Sequence, residues 1–132
     1  MNREIWEFLA KGSSHVIREW VKDERITRIE LAKLDFALNQ LRTLDYDLVS
    51  RKLLAGPLRG ALKLYKLRIR CANRELRPLL CRGPFARFDY TLLAGAIEEG
   101  DRLRPSDAYS RAQKNLETLE RNSHWREIYR HE

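Results

Sequence analysis

The 132-residue sequence is poor in the residues that build covalent or metal-held frameworks. Its two cysteines, Cys71 and Cys81, form no CxxC pair and accompany no Cys/His cluster. This argues against a disulfide framework and a structural zinc site, and both thiols are expected reduced and partly buried. The three histidines, His15, His124 and His131, lie outside the central region, so chemistry there has no imidazole to draw on. No metal and no cofactor are expected. Long apolar runs are missing as well: none approaches the roughly 18 residues a bilayer span needs, and the opening MNREIWEFLAKG lacks the apolar core and small-residue cleavage site of a signal peptide. The expectation is a cytoplasmic protein with no membrane partner.

Negative charge is scarce in one place. Between Arg51 and Arg104 stand 13 Lys or Arg against five acids, a local +8, while the rest carries 13 bases against 14 acids. The net charge of +7 is therefore a property of the middle third. Clustered cations with Arg outnumbering Lys suit a phosphate-rich partner, because a guanidinium fork matches phosphate geometry. The competing reading is that these cations solvate the outer face of a sheet. With 43% apolar residues, the chain has material for one core and one domain, residues 1–132.

Periodicity orders the elements. EIWEFL alternates as a short first strand, KGSS turns the chain, and Ser14 is the expected cap of a helix over HVIREWVKD. In ITRIELAKLDFALNQLRTL, Leu31, Leu34, Leu38 and Leu41 share a helical stripe, with Thr27 and Glu30 at capping-box spacing ahead of it. LDYDLVSRKLLAGPLRG, rich in turn formers at its end, connects helices to sheet. The period then falls to 2. ALKLYKLRIRC has Tyr65, Leu67 and Ile69 on one face of a strand and Lys66, Arg68 and Arg70 on the other, with Lys63 facing away from those three. ELRPLLC and FDYTLLAGAI are the next strands of an antiparallel meander, and Pro78 demands an edge, a bulge or solvent. After EEGDRLRP, read as a loop, Ser106 is the expected cap of a helix burying Ala108, Ala112, Leu116 and Leu119. The tail, residues 121–132, carries Trp125, Ile128 and Tyr129 and is too apolar for a plain disordered end. The fold class expected is α+β: a short N-terminal strand plus a three-stranded meander in a twisted antiparallel sheet, packed by two N-terminal helices and one C-terminal helix.

That order, with its basic sheet, resembles the RelE/ParE superfamily of bacterial toxins, and within it the HigB-like branch of type II toxin-antitoxin systems. WEFLAKGSSHVIREWV, PLRGALKLYKLRI, LRPLLCRG and TLLAGAIEEGDRLRPSDAYSRAQKNLE carry the resemblance, which spans roughly residues 4–120, the last stretch being the most specific. It implies a RelE-like fold and a toxin that inhibits translation by cutting mRNA in the ribosomal A site. Its implied partners are mRNA, ribosomal RNA and a cognate antitoxin of the helix-turn-helix, DNA-binding kind. Relatives use basic sheet residues and a tyrosine at the start of the last helix. At the matching positions this chain has Lys66 and Arg68 in YKLR, Arg77 in ELRPLL, Arg102 or Arg104 in GDRLRP, and Tyr109 in SDAYSRA. The chain departs from many relatives in one respect: Glu98 and Glu99 stand where those carry two adjacent lysines, and two acids beside a scissile phosphate repel it.

Metal-free RNA cleavage uses the ribose 2′-hydroxyl as nucleophile and must stabilise the charge of the phosphorane. Lys66, with Arg68 and Arg70 crowding it, is the candidate base, since like charges disfavour the protonated form. Arg77, with Arg102 or Arg104 from the loop, would hold the phosphate bidentately, and Tyr109 would stack on a base or orient the 2′-hydroxyl. The assigned catalytic set is thus Lys66, Arg68, Arg77, Arg102 and Tyr109. Arg70, Arg74, Arg82 and Arg104 are assigned to RNA contacts, and Arg87 is either solvated or a ribosomal RNA contact. The helix over residues 27–41 packs on the sheet by default, docking of an antitoxin segment being its functional addition. Two rivals to the nuclease remain: a ParE-like toxin that binds DNA gyrase, and a non-catalytic descendant that binds nucleic acid or antitoxin alone, for which Glu98 and Glu99 speak.

Overall fold

A computed structural model describes residues 4–43, 54–58, 63–85 and 89–130. Most of the connector expected over residues 44–60, and Arg87, lie outside the described residues. The chain is α+β, and the helices among the described residues are α1 (Val16–Asp23), α2 (Arg28–Thr43) and α3 (Ala108–Arg121). The strands are β1 (Ile5–Ala10), β2 (Ser14–His15), β3 (Leu54–Ala55), β4 (Tyr65–Leu67), β5 (Ile69–Arg70), β6 (Glu75–Leu76), β7 (Leu79–Arg82), β8 (Tyr90–Ala94), β9 (Ile97–Glu99), β10 (Arg102–Arg104) and β11 (Arg126–Ile128).

The meander is present, but each of its three strands is broken once. The first breaks at Arg68, the second at Arg77 and Pro78, the third at Gly95 and Ala96. The breaks are neighbours: the Leu67 N–H donates to the Pro78 carbonyl (3.0 Å) and the Arg77 N–H to the Ala96 carbonyl (2.8 Å). A fault line therefore crosses the meander. Before it lies a seven-stranded sheet of order β11-β1-β8-β7-β4-β3, with β2 pairing β1; beyond it lies a four-stranded sheet of order β10-β9-β6-β5. Pro78 sits in the middle strand, buried, at the break and next to a bulge between Leu79 and Leu80, so of the three expected settings only the bulge holds. EEGDRLRP, read from sequence as a loop, is the β9–β10 hairpin instead, with Arg102 opposite Glu99. Its alternation runs over too few residues to stand out locally.

Helices cover both faces of the larger sheet. Ile17 and Trp20 of α1 and Leu34, Leu38 and Leu41 of α2 pack with Leu67, Leu80, Tyr90 and Leu92. Ala108, Ala112, Leu116 and Leu119 of α3, the stripe expected, pack with Leu64, Leu79, Cys81 and Leu93. Successive strand residues serve opposite cores, as period-2 geometry demands. Among the described residues all strand pairings are antiparallel except β1 with β8.

Helix starts follow two different rules. At α2 the capping box forms as expected: Thr27 Oγ1 accepts from the Glu30 N–H (3.1 Å) and Glu30 Oε1 from the Thr27 N–H (3.0 Å). Ser14 does not cap α1. It is held extended opposite Ala10, and the carboxylate of Glu7, fully buried in β1, accepts from the N–H groups of Ile17 (2.7 Å) and Arg18 (2.8 Å) instead. Its other oxygen lies 3.2 Å from His15 Nδ1. An anion on free N–H groups at the positive end of α1 is a favourable cap. Ser106 is likewise displaced, since Asp107 is the residue flanking α3 and has no side-chain cap bond.

The described part of the tail adds a strand to the sheet. β11 pairs with β1, Tyr129 is buried, and the Arg126 guanidinium lies 4.0 Å from the Trp6 ring centroid while donating to Thr91 (3.1 Å) and Asp89 (3.2 Å).

Candidate functional site

Two residues assigned to catalysis meet. Lys66, on β4, shares the sheet face of Leu64 and so points toward α3, where Tyr109 stands in the first turn. The Lys66 Nζ donates to the Tyr109 Oη at 3.4 Å, both side chains being half-buried. The two are 43 residues apart in sequence. Among the described residues no carboxylate lies within ion-pair distance of Lys66, which leaves its Nζ two donors beyond the Tyr109 bond for a ligand.

The remaining cations do not form one wall with it. Arg68, at the break, and Arg70 line a groove against α2 rather than α3. Arg68 and Arg102 are exposed, and among the described residues neither has a carboxylate partner. Arg82 lies over the Tyr65 ring, 4.5 Å from its centroid. Lys63 reaches Glu120 of α3 at 3.0 Å.

Four of the assigned arginines are engaged by acids. On the smaller sheet Arg70, Glu75 and Glu98 are successive cross-strand partners. Glu75 takes a weak contact from Arg70 (3.4 Å) and a short one from Arg77 (2.6 Å), and Arg77 also reaches Glu98 (2.7 Å). The result is a ladder of alternating sign. The Arg77 hydrogen bond, outweighing burial, holds the Glu75 carboxyl below its usual range. Arg104 on β10 is bound by Glu99 across the hairpin and by Glu24 at 3.2 Å. Glu98 and Glu99 thus occupy two of the arginine forks assigned to phosphate.

Arg74 has a structural task. Its guanidinium meets Glu30 in two bonds (2.8 and 2.9 Å) and donates to the Glu24 carbonyl (3.2 Å), tying the β5–β6 turn to the start of α2. With the Arg74 bond first among its causes, Glu30 falls from 4.5 to about 2. A carboxyl whose folded value lies below its unfolded value stabilises the fold at higher pH and loses that contribution as pH falls through the folded value. The pair is largely buried, so the full shift is worth on the order of 3 kcal/mol. Between pH 6 and pH 2, urea unfolding is expected to show the wild type losing about that much more stability than Glu30→Gln. Parallel losses would remove the pair from the acid limb.

Neither thiol is poised as a nucleophile: burial pushes Cys81 up to about 12, and Cys71 is also raised, chiefly by burial. Among the described residues no group of three His, Cys, Asp or Glu gathers as a metal site, and no helix is long and apolar enough to cross a membrane.

What the sequence reading missed is the pairing of charge. Glu75 and Arg77 are two apart on a strand and so share a face, a signal open to inspection. The links to Glu98, Glu99 and Glu24 depend on register, which no local pattern displays. Comparison with known protein families, with curated proteins and with solved structures found no match.

Proposed function

We propose that the chain is a RelE-like toxin of a type II toxin-antitoxin system, an mRNA endoribonuclease acting on the translating ribosome in the cytoplasm and neutralised by a cognate antitoxin. The observation that carries this reading is the Lys66–Tyr109 hydrogen bond, which joins the sheet cation and the last-helix tyrosine that the family resemblance singles out. In the proposed reaction the ribose 2′-hydroxyl gives its proton to solvent water as its oxygen bonds to the adjacent phosphorus, the bond from phosphorus to the 5′-oxygen breaks, and that oxygen takes a proton from water, giving a 2′,3′-cyclic phosphate and a free 5′-hydroxyl. Lys66 offers its two unused donors to the phosphorane oxygens, where charge grows most in the transition state. Tyr109, accepting from Lys66, keeps its own O–H for a ribose or phosphate oxygen. Arg102, free of carboxylates among the described residues, holds the flanking backbone, whereas Arg68 faces the α2 side and takes no part in the cut. The test is primer extension on a translated message after induced expression. Cuts inside codons are expected, and intact message with arrested gyrase would replace this reading with the ParE-like one.

The ion pairs of Glu98 and Glu99 favour a second reading, a non-catalytic nucleic-acid-binding descendant of the fold. Removing one of the two carboxylates on each of Arg77 and Arg104, through Glu98→Gln with Glu99→Gln and with Glu75 and Glu24 left in place, is expected to tighten binding of single-stranded RNA about 10-fold and to steepen its salt dependence by up to about two phosphate contacts. Filter binding over a salt series reads both. If cleavage appears only in this variant, the natural chain belongs to the second reading.

A further inference from the structure

Helix α2 carries two apolar stripes, and only one is used by the core. Leu34, Leu38 and Leu41 face the sheet. Ile29, Ala32 and Phe36, spaced three and four apart on another face, line an open groove of about 480 Å³ shared with the Arg68–Arg70 segment. Ile29 is 72% exposed and Phe36 63%, the two most exposed large apolar side chains among the described residues. Seven residues of helix put them about 10 Å apart, two turns of a partner helix. Leaving both in water forfeits roughly 2 kcal/mol each that a covering partner would recover.

Charge selects the occupant. Lys33, Arg68 and Arg70 border the groove. The Lys33 ammonium donates to the Arg70 carbonyl at 3.2 Å, Arg68 has no carboxylate among the described residues, and Arg70 meets Glu75 only at 3.4 Å while highly exposed. The acids of α2 turn elsewhere: Glu30 is buried against Arg74, and Asp35 lines a separate groove with Tyr129 and Arg130. Two copies of this face would therefore oppose cation to cation, which disfavours self-pairing. Two aliphatic side chains beside a single aromatic make a poor stacking platform for bases but a good groove for an apolar helix stripe. We infer that the groove between α2 and β5 is a docking site for an acidic amphipathic helix of a protein partner, whose apolar stripe covers Ile29 and Phe36 and whose flanking carboxylates meet Arg68, Arg70 and Lys33.

The site lies on the opposite side of the sheet from Lys66 and Tyr109, and the inference holds whether or not the chain cuts RNA. The probe is a fluorescein-labelled peptide of about 15 residues with Leu on one helical stripe and Glu on both flanks, titrated by anisotropy against the full chain; a control carries Lys for every Glu. The Glu peptide is expected to bind at about 1–100 μM, more weakly as salt rises, and the Lys peptide at least about 10-fold more weakly. Phe36→Asp should lose about 10-fold or more, as should Ile29→Asp, with melting temperatures unchanged because both side chains are exposed. Arg68→Glu should narrow the preference for Glu over Lys and keeps the test informative should either apolar variant misfold. Equal binding of the two peptides, or binding indifferent to Phe36, overturns the proposal. Oligouridine binding lost on Phe36→Asp would reassign the face to RNA, and a dimer in sedimentation lost on the same change would reassign it to a second copy.

Discussion

Lys66→Met is expected to lower the rate of mRNA cleavage by about 10²–10⁴ while the protein stays folded, and Tyr109→Phe by about 10–10². The magnitudes differ because the two changes remove different things. Methionine keeps the length and apolar stem of lysine and deletes only the ammonium, the one charge at the pair. Phenylalanine keeps the ring that packs on the α3 core and deletes one hydroxyl. A hydrogen bond of 3.4 Å between half-buried groups contributes at most about 1 kcal/mol to stability. Loss of fold therefore cannot account for a hundredfold loss of rate, and equal urea midpoints beside unequal rates would separate catalysis from tethering. If the residues act as a unit, the double variant should be little slower than Lys66→Met alone, because the tyrosine hydroxyl is positioned by the ammonium it has then lost. Arg102→Ala should act on KM more than on kcat, since Arg102 is exposed, has no carboxylate partner among the described residues and does not touch the Lys66–Tyr109 pair. Wild-type cleavage by both single variants would remove the pair from the chemistry and leave it as a link between β4 and α3.

The parts of this fold that were legible in sequence are those governed by neighbours within four residues. The α3 stripe of Ala108, Ala112, Leu116 and Leu119 and the Thr27–Glu30 capping box are written in local spacing, and both are present. Ser14 and Ser106 failed as caps for a nonlocal reason: Glu7, ten residues from Ile17 and on another element, reaches the α1 terminus first, and Ser14 is drawn into a hairpin. The same limit governs the site. Lys66 and Tyr109 were each legible as chemistry-bearing residues, but only the register of β4 and the seat of α3 bring them to one place. Conversely, the count of cations in the middle third was correct as a count and misleading as a surface. Glu98 and Glu99, which engage Arg77 and Arg104, sit on a neighbouring strand, and Arg74 is spent on holding α2. Formal charge is additive along a chain, whereas the field a ligand meets depends on which charges are already paired.

Gly95→Ala is expected to cost about 3 kcal/mol or more of folding stability, the upper end of what overpacking a core produces. A methyl group there would lie within 2.5 Å of three indole atoms of Trp20: Cγ, Cδ2 and Cε2. These atoms belong to the root and fused edge of the ring rather than to a mobile tip, so relief requires turning the whole indole inside the core it shares with Leu34 and Leu92. Gly95 has no left-handed backbone to lose, which makes the cost purely steric. The position also marks the third break of the meander, where the chain passes from β8 to β9. Trp20 lying on bare backbone at that break couples α1 to the strand that carries Glu98 and Glu99. Trp20→Leu should therefore be destabilising alone, through lost contact, yet should rescue part of the Gly95→Ala loss. A double-mutant cycle is expected to give a coupling of at least about 1 kcal/mol with the favourable sign. Additive costs would mean that the indole moves aside freely. A Gly95→Ala protein within about 0.5 kcal/mol of wild type, the range of an inert surface change, would show that the close packing of Trp20 on Gly95 does not hold the break.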